Sequence, residues 1–227
     1  MTVFAIAAAI ALTAASAGPE KQTDPDPQAA SVSQAAQLVV DGKMDEAIGL
    51  LDPALDAYAR RYAGETRKIY CGSNQQETLL YLLGAAAEKK SAIVIGEGWC
   101  TALFLKGFIL DDRRRFDEAT LFLERVTAMA PHDAHYLNEL GYAYQQRRNW
   151  TASDDAYRRA DENAAYDAAS LKKERGRAWR GLGYNYVEEG KLDEAEALYR
   201  KCLELDPADT KAQGELRYIA EQRARHT

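Results

Sequence analysis

The stretch that decides the fold runs from Trp179 to Pro207 and reads WRGLGYNYVEEGKLDEAEALYRKCLELDP. Trp179, Leu182, Gly183 and Tyr186 fall at i, i+3, i+4 and i+7, which is one face of a helix. Gly190 breaks that pattern, and Leu192, Ala195, Tyr199 and Cys202 begin a second helical stripe. Asp206 and Pro207 are suited to the cap and first turn of a third helix. The stretch therefore predicts two antiparallel helices joined by a tight turn. The small residues Gly183 and Ala195 sit where the helices come closest, with the rings of Trp179, Tyr186 and Tyr199 around them.

The same frame recurs upstream. GKMDEA at Gly42–Ala47 nearly copies GKLDEA at Gly190–Ala195, and RFDEA at Arg115–Ala119 is a further variant. Leu103, Gly107, Leu110, Leu123, Val126 and Pro131 set out one unit over 100–133, although Lys106 stands where a leucine is expected. A shift of about 34 residues lands on Leu137, Leu140, Gly141, Tyr144, Ser153, Tyr157 and Ala160, a second unit over 134–167. The third, over 176–209, is reached only across an insertion within Ala164–Arg175. That segment is rich in helix formers and so should lengthen the start of the next helix.

These units resemble the tetratricopeptide repeat, whose pattern is W-x2-L-G-x2-Y, then Ala, an aromatic and Pro over about 34 residues. The resemblance is firm for 100–210 and weak for 29–99. Residues 29–61 read as a degenerate repeat without the first-helix signature and with Pro53 inside the second stripe. The resemblance implies an all-α fold, a right-handed superhelical α-solenoid of helix hairpins whose first helices line a concave groove. Residues 210–227, with Ala212, Leu216 and Ile219 turned inward, are expected to close the array as a capping helix.

The segment between the weak and firm parts is less regular. Residues 62–74 read as a loop, and Ser73 or Asn74 can cap a helix that starts at Gln75 and carries Glu77 in its first turn. That helix is expected to pack through Leu79, Leu82, Leu83 and Ala86. Ala92–Ile95 is short and β-branched, and periodicity leaves open an extended bridge or a helix tail.

At the N-terminus, Val3–Leu12 is apolar and uncharged, and Ala15-Ser16-Ala17 is a small-x-small site before Gly18. This is the anatomy of a secretory signal peptide over 1–17, cleaved after Ala17, although no Lys or Arg precedes the apolar run. The expected destination is the bacterial periplasm, or secretion, with no stable membrane insertion after cleavage. Residues 18–28 are polar and carry three prolines, and so read as a disordered linker. An oxidising compartment gives meaning to the three cysteines. Cys202 lies on a buried helix face. Cys71 and Cys100 flank the irregular segment and are either bridged or a pair of buried thiols.

The formal net charge of −6, with both signs spread along the 227 residues, argues against a nucleic-acid partner. No phosphate-binding loop, HExxH, GxSxG or CxxC motif is present. Asp111-Asp112 and Asp154-Asp155 read as solvated caps, because adjacent helical residues face different ways. His132 and His135 read as capping or groove residues without a third metal ligand. No cofactor, metal or enzymatic role is expected.

The resemblance instead implies a non-enzymatic adaptor that binds a protein or peptide segment in the concave groove. Removing packing positions from the first helices leaves Phe104, Phe108, Asn138, Tyr142, Gln145, Arg177, Arg180 and Tyr184 to face it, a mixture that suits peptide recognition. Phe104 and Phe108 could instead pack against the irregular segment. Arg177 and Arg180 beside Tyr142 and Tyr184 would favour an acidic or carbonyl-rich peptide, unless the arginines are solvated or pair with Glu174 and Glu188 in their own helix. Some members of the family clamp a C-terminal carboxylate with Lys and Asn, but Phe104, Phe108 and Tyr142 occupy such positions here. The alternative is an enzyme or small-ligand protein that uses a pocket between 62–99 and the repeats.

Overall fold

The computed structural model describes residues 26–166 and 170–225. The expected signal segment and residues 18–25 lie outside them. A first hairpin pairs α1 (Ala29–Val40) with α2 (Met44–Arg61). There follow β1 (Lys68–Cys71), α3 (Gln75–Ala87) and β2 (Ala92–Ile95). Three more hairpins come next: α4 (Gly98–Asp112) with α5 (Phe116–Met129), α6 (Ala134–Gln146) with α7 (Trp150–Asn163), and α8 (Leu171–Glu188) with α9 (Leu192–Leu205). The helix α10 (Thr210–Arg225) packs on α8 and α9. The fold is an all-α solenoid with a small βαβ insertion.

Local chemistry explains the hairpins. The chain leaves each first helix through a left-handed residue, Gly42 at φ 75°, Arg114 at 59°, Arg148 at 55° and Gly190 at 75°. Glycine takes that conformation without a Cβ clash, whereas arginine is strained there. Acidic residues follow at once in the first turns of α2, α5 and α9, where the helix dipole favours them. Inside each of the last three hairpins a glycine meets a large side chain. A Cβ would lie 2.8 Å from Leu123 Cγ at Gly107, 2.8 Å from Tyr157 Cδ1 at Gly141, and 2.8 Å from Tyr199 Cζ at Gly183. The close approach read from Gly183 is thus present in all three well-formed units.

Polar groups lock one unit to the next. Asn185, fully buried on α8, donates to Ser153 Oγ at 2.9 Å and Asp154 Oδ1 at 2.8 Å, and accepts from Gln145 Nε2 at 2.7 Å. Ser153 Oγ donates to the Gly141 carbonyl at 2.8 Å. Asp154 is therefore buried and bonded rather than a solvated cap. Lys106, the departure from the leucine position, reaches Asp52 Oδ1 on α2 at 2.7 Å. Trp99 stacks between Tyr58 and Tyr62, with centroids at 5.7 and 5.2 Å, and ties the first hairpin to α4.

The N-terminal half differs from the sequence reading in three ways. Residues 68–71, expected in a loop, form a strand paired in parallel with 92–95, in register from Lys68 opposite Ala92 to Cys71 opposite Ile95. A parallel pair needs a crossover, and α3 supplies it. Second, α3 buries Tyr81 and Ala85, while Leu79, Leu82 and Leu83 are exposed at 57, 40 and 60%. After its polar first turn the helix runs LLYLLGAAA, apolar on nearly every side, so periodicity had no contrast from which to choose a face. Third, residues 26–28 of the expected linker are ordered, because the Tyr58 hydroxyl donates to Asp26 Oδ2 at 2.5 Å. The expected cap is in place: Asn74 Oδ1 accepts from the Glu77 amide at 2.9 Å. Cys71 and Cys100 form a disulfide with Cα atoms 6.2 Å apart, joining β1 to α4, and Cys202 is a buried free thiol.

Candidate binding groove

The first helices α4, α6 and α8 and the final helix α10 bring two adjoining recesses onto one face. One, of about 370 Å3, lies among Phe108, Asp111, Phe116, Glu139, Tyr142 and Arg177. The other, of about 390 Å3, is lined by Tyr142, Arg177, Arg180, Tyr184, Lys211 and Glu215. Tyr142 and Arg177 border both, so the recesses form one groove.

Tyr142 and Tyr184 present rings to it at 37 and 40% exposure. Both arginines are held across helices, and not by Glu174 or Glu188. Arg177 Nη1 lies 2.7 Å from Glu139 Oε1 on α6, and Arg180 donates to Asp209 at the start of α10. The expectation of an acidic partner peptide rested on free guanidinium groups, and these pairings remove its basis. Asn138 does not reach the groove surface. It is fully buried, and its Nδ2 donates to the Glu174 carbonyl and Oε2, both at 3.0 Å. Gln145 lies in the floor, where Nε2 donates to Asn185 and, at 3.2 Å, to the Gly181 carbonyl. An amide beside a backbone carbonyl on the next helix completes a hydrogen bond, which explains its burial. Phe104 turns towards His135 and Tyr136, both at 4.9 Å between centroids, while Phe108 borders the first recess.

Sequence reasoning missed the acids. Of the pair read as solvated caps, Asp112 is exposed, but Asp111 is only 6% exposed and neither of its carboxyl oxygens has a hydrogen-bond partner. Burial first, and then the like charge of Glu139, push its carboxyl up to about 7, against the opposing pull of Arg177. The rule that adjacent helical residues face different ways was the available signal. Of two such neighbours one can turn inward while the other meets solvent, and here Asp111 is the inward one.

A third recess, of about 440 Å3, separates the βαβ insertion from the repeats, where the alternative small-ligand reading had placed a pocket. Tyr81, His132 and Tyr166 line it in a run of ring contacts at 5.6 and 5.2 Å, and Tyr70 stacks on Tyr81 behind them at 4.9 Å. His132 Nδ1 meets Asn163 Oδ1 at 2.7 Å. His135 Nδ1 lies 3.5 Å from Glu174 Oε1, at the limit of hydrogen-bond reach. Burial works against the Glu174 charge, but His135, Asn138 and Lys173 outweigh it and hold the carboxyl at about 2. Burial raises Glu97 and Asp133 on the same walls. Among the described residues no group of three or more His, Cys, Asp or Glu side chains is placed to hold a metal ion.

Residues 176–209 match the tetratricopeptide repeat family. The protein bimA of Emericella nidulans is 28% identical over 113 residues, which are 50% of this chain but span only 12% of that protein. Among solved structures, MamA of Desulfovibrio magneticus RS-1, from residue 41 to its end, superposes with a TM-score of 0.58 at 14% identity, covering 88% of each chain. MamA of AMB-1 gives 0.54 at 16% identity, covering 88% of this chain and 84% of that one. At such identities the likeness is one of fold. The chain thus carries a tetratricopeptide repeat at 176–209 within an all-α solenoid of the tetratricopeptide type.

Proposed function

We propose that this protein is a non-enzymatic adaptor that holds an extended segment of a partner protein in the groove across α4, α6, α8 and α10. The observation that carries the reading is the pair of exposed rings, Tyr142 and Tyr184, on successive first helices at the edges of the recesses. Tyrosine offers a large flat contact with little rotamer entropy to lose, which suits a binding surface. Arg177 and Arg180 border the same surface with their planes fixed by Glu139 and Asp209, so they too lose little freedom on binding. Fold analogy points the same way and is no more than analogy. The −6 net charge speaks against nucleic acid as the partner.

We also propose export, with cleavage after Ala17 and function in the bacterial envelope. The apolar run at 3–12 and the Ala15-Ser16-Ala17 site support it, as does the Cys71–Cys100 disulfide, a bond that persists in oxidising compartments. No helix among the described residues is long and apolar enough to cross a membrane. Intact mass of the protein from its own host should give a chain that starts at Gly18; a retained Met1 or Thr2 would contradict export. For the groove, Tyr142→Ala and Tyr184→Ala should each weaken partner binding by roughly thirtyfold with little change in melting. Wild-type affinity in both would move the binding site elsewhere.

A further inference from the structure

Asp111 stands apart from the other acidic residues that line the groove. It is almost wholly buried, it opens onto a recess, and neither carboxyl oxygen is hydrogen-bonded. Buried carboxyl groups are ordinarily paired or bonded, because an unpaired one loses its hydration without replacement. Arg177, the cation that faces Asp111 from α8, is already committed to Glu139 at 2.7 Å. Arg114 and Asp112, at the rim, are both exposed to solvent. The three remaining walls are aromatic. Phe116 meets Tyr142 edge-on with centroids 6.5 Å apart, and Phe108 borders the same space from α4.

An acid at the bottom and ring faces at the sides suit one kind of group. A long aliphatic stem packs on the rings, and a positive terminus gains both from the rings and from the carboxylate. We propose that this recess is the anchor subsite of the groove and receives a lysine or arginine side chain of the bound segment, its charged end meeting Asp111. The proposal rests on the groove reading above and narrows it: the partner segment is basic at one position, not acidic as the two arginines first suggested. The burial that raises the Asp111 carboxyl fits this role, since an arriving cation would favour the ionised form.

The test uses an immobilised positional-scanning library of octapeptides, probed with the wild-type protein and with Asp111→Asn. Both proteins are first matched for helicity and cooperative melting. The wild type should enrich Lys or Arg at one position, and Asp111→Asn should lose that enrichment while it keeps the other preferences. For the best lysine-bearing peptide, acetylating that lysine should weaken wild-type binding by roughly thirtyfold but leave Asp111→Asn binding unchanged within about threefold. Peptide binding with no Lys or Arg preference, or with a preference that persists in Asp111→Asn, overturns the anchor and spares the groove. An absence of binding by any peptide overturns both. Should Asp111→Asn fail to fold, the wild-type arm still decides: enrichment of Asp or Glu, or indifference to acetylation, refutes the proposal.

Discussion

Asp111 shows how one residue can set stability against use. Its carboxyl ordinarily titrates at 3.8, and in the fold it is pushed to about 7 by burial and by Glu139. The folded chain therefore holds this proton more tightly than the unfolded one. The contribution is complete below about pH 4, is lost as pH rises to about 7, and leaves an ionised, unpartnered group above that. Asp111→Asn carries no charge, so it should melt higher than the parent at pH 8, by about 2 kcal/mol, with the gap closing towards pH 4. The low carboxyl of Glu174 titrates in both proteins and cancels from the comparison. Paired thermal melts at pH 4, 6 and 8 check this, and a gap independent of pH would mean that Asp111 is not buried as an unpaired acid.

At the scale of elements, the repeats were legible because their signature is steric. Gly183 had to lie against a large side chain, and the Tyr199 ring is there. The groove was half legible. Removing packing positions from a first helix finds the residues that do not pack within their own hairpin, but it cannot separate those that face solvent from those bonded to the next repeat. Tyr142 and Tyr184 are of the first kind, Asn138 and Gln145 of the second. An amide looks the same in sequence whether its partner is a peptide or a neighbouring helix. Asn185 was overlooked for the same reason. Replacing it with leucine should destabilise by about 1–3 kcal/mol for each buried polar atom that loses its bond to Asn185, chiefly Asp154 Oδ1, while Gln145 keeps its bond to the Gly181 carbonyl. Urea unfolding measures this. The helix α3 gives the opposite case: Leu83→Ser removes an exposed side chain and should shift stability by no more than about 0.5 kcal/mol. A loss of several times that would restore the packing face first read from its periodicity.

Over the whole molecule, the least repeat-like part is held by covalent and aromatic ties in place of repeat packing. The insertion is closed by a disulfide spanning a sequence separation of 29, and Trp99 gathers Tyr58 and Tyr62 beside it. A strand pair of eight residues was beyond periodicity to find, since parallel partners lie far apart in sequence and each run is too short to carry a period. Replacing both Cys71 and Cys100 with serine should cost about 3–4 kcal/mol by release of the loop constraint, read as a lower urea midpoint than the oxidised parent.

The central claim, that the concave groove is where this protein meets its partner, is tested most directly by site-specific photo-cross-linking in cells that make it. A benzophenone amino acid is placed in turn at Tyr142 and Tyr184, in the groove, and at Leu121, which is 65% exposed on α5. The groove positions should yield a discrete light-dependent adduct with a second protein, and Leu121 should not. Adducts from Leu121 with none from Tyr142 or Tyr184 would contradict a groove-binding adaptor.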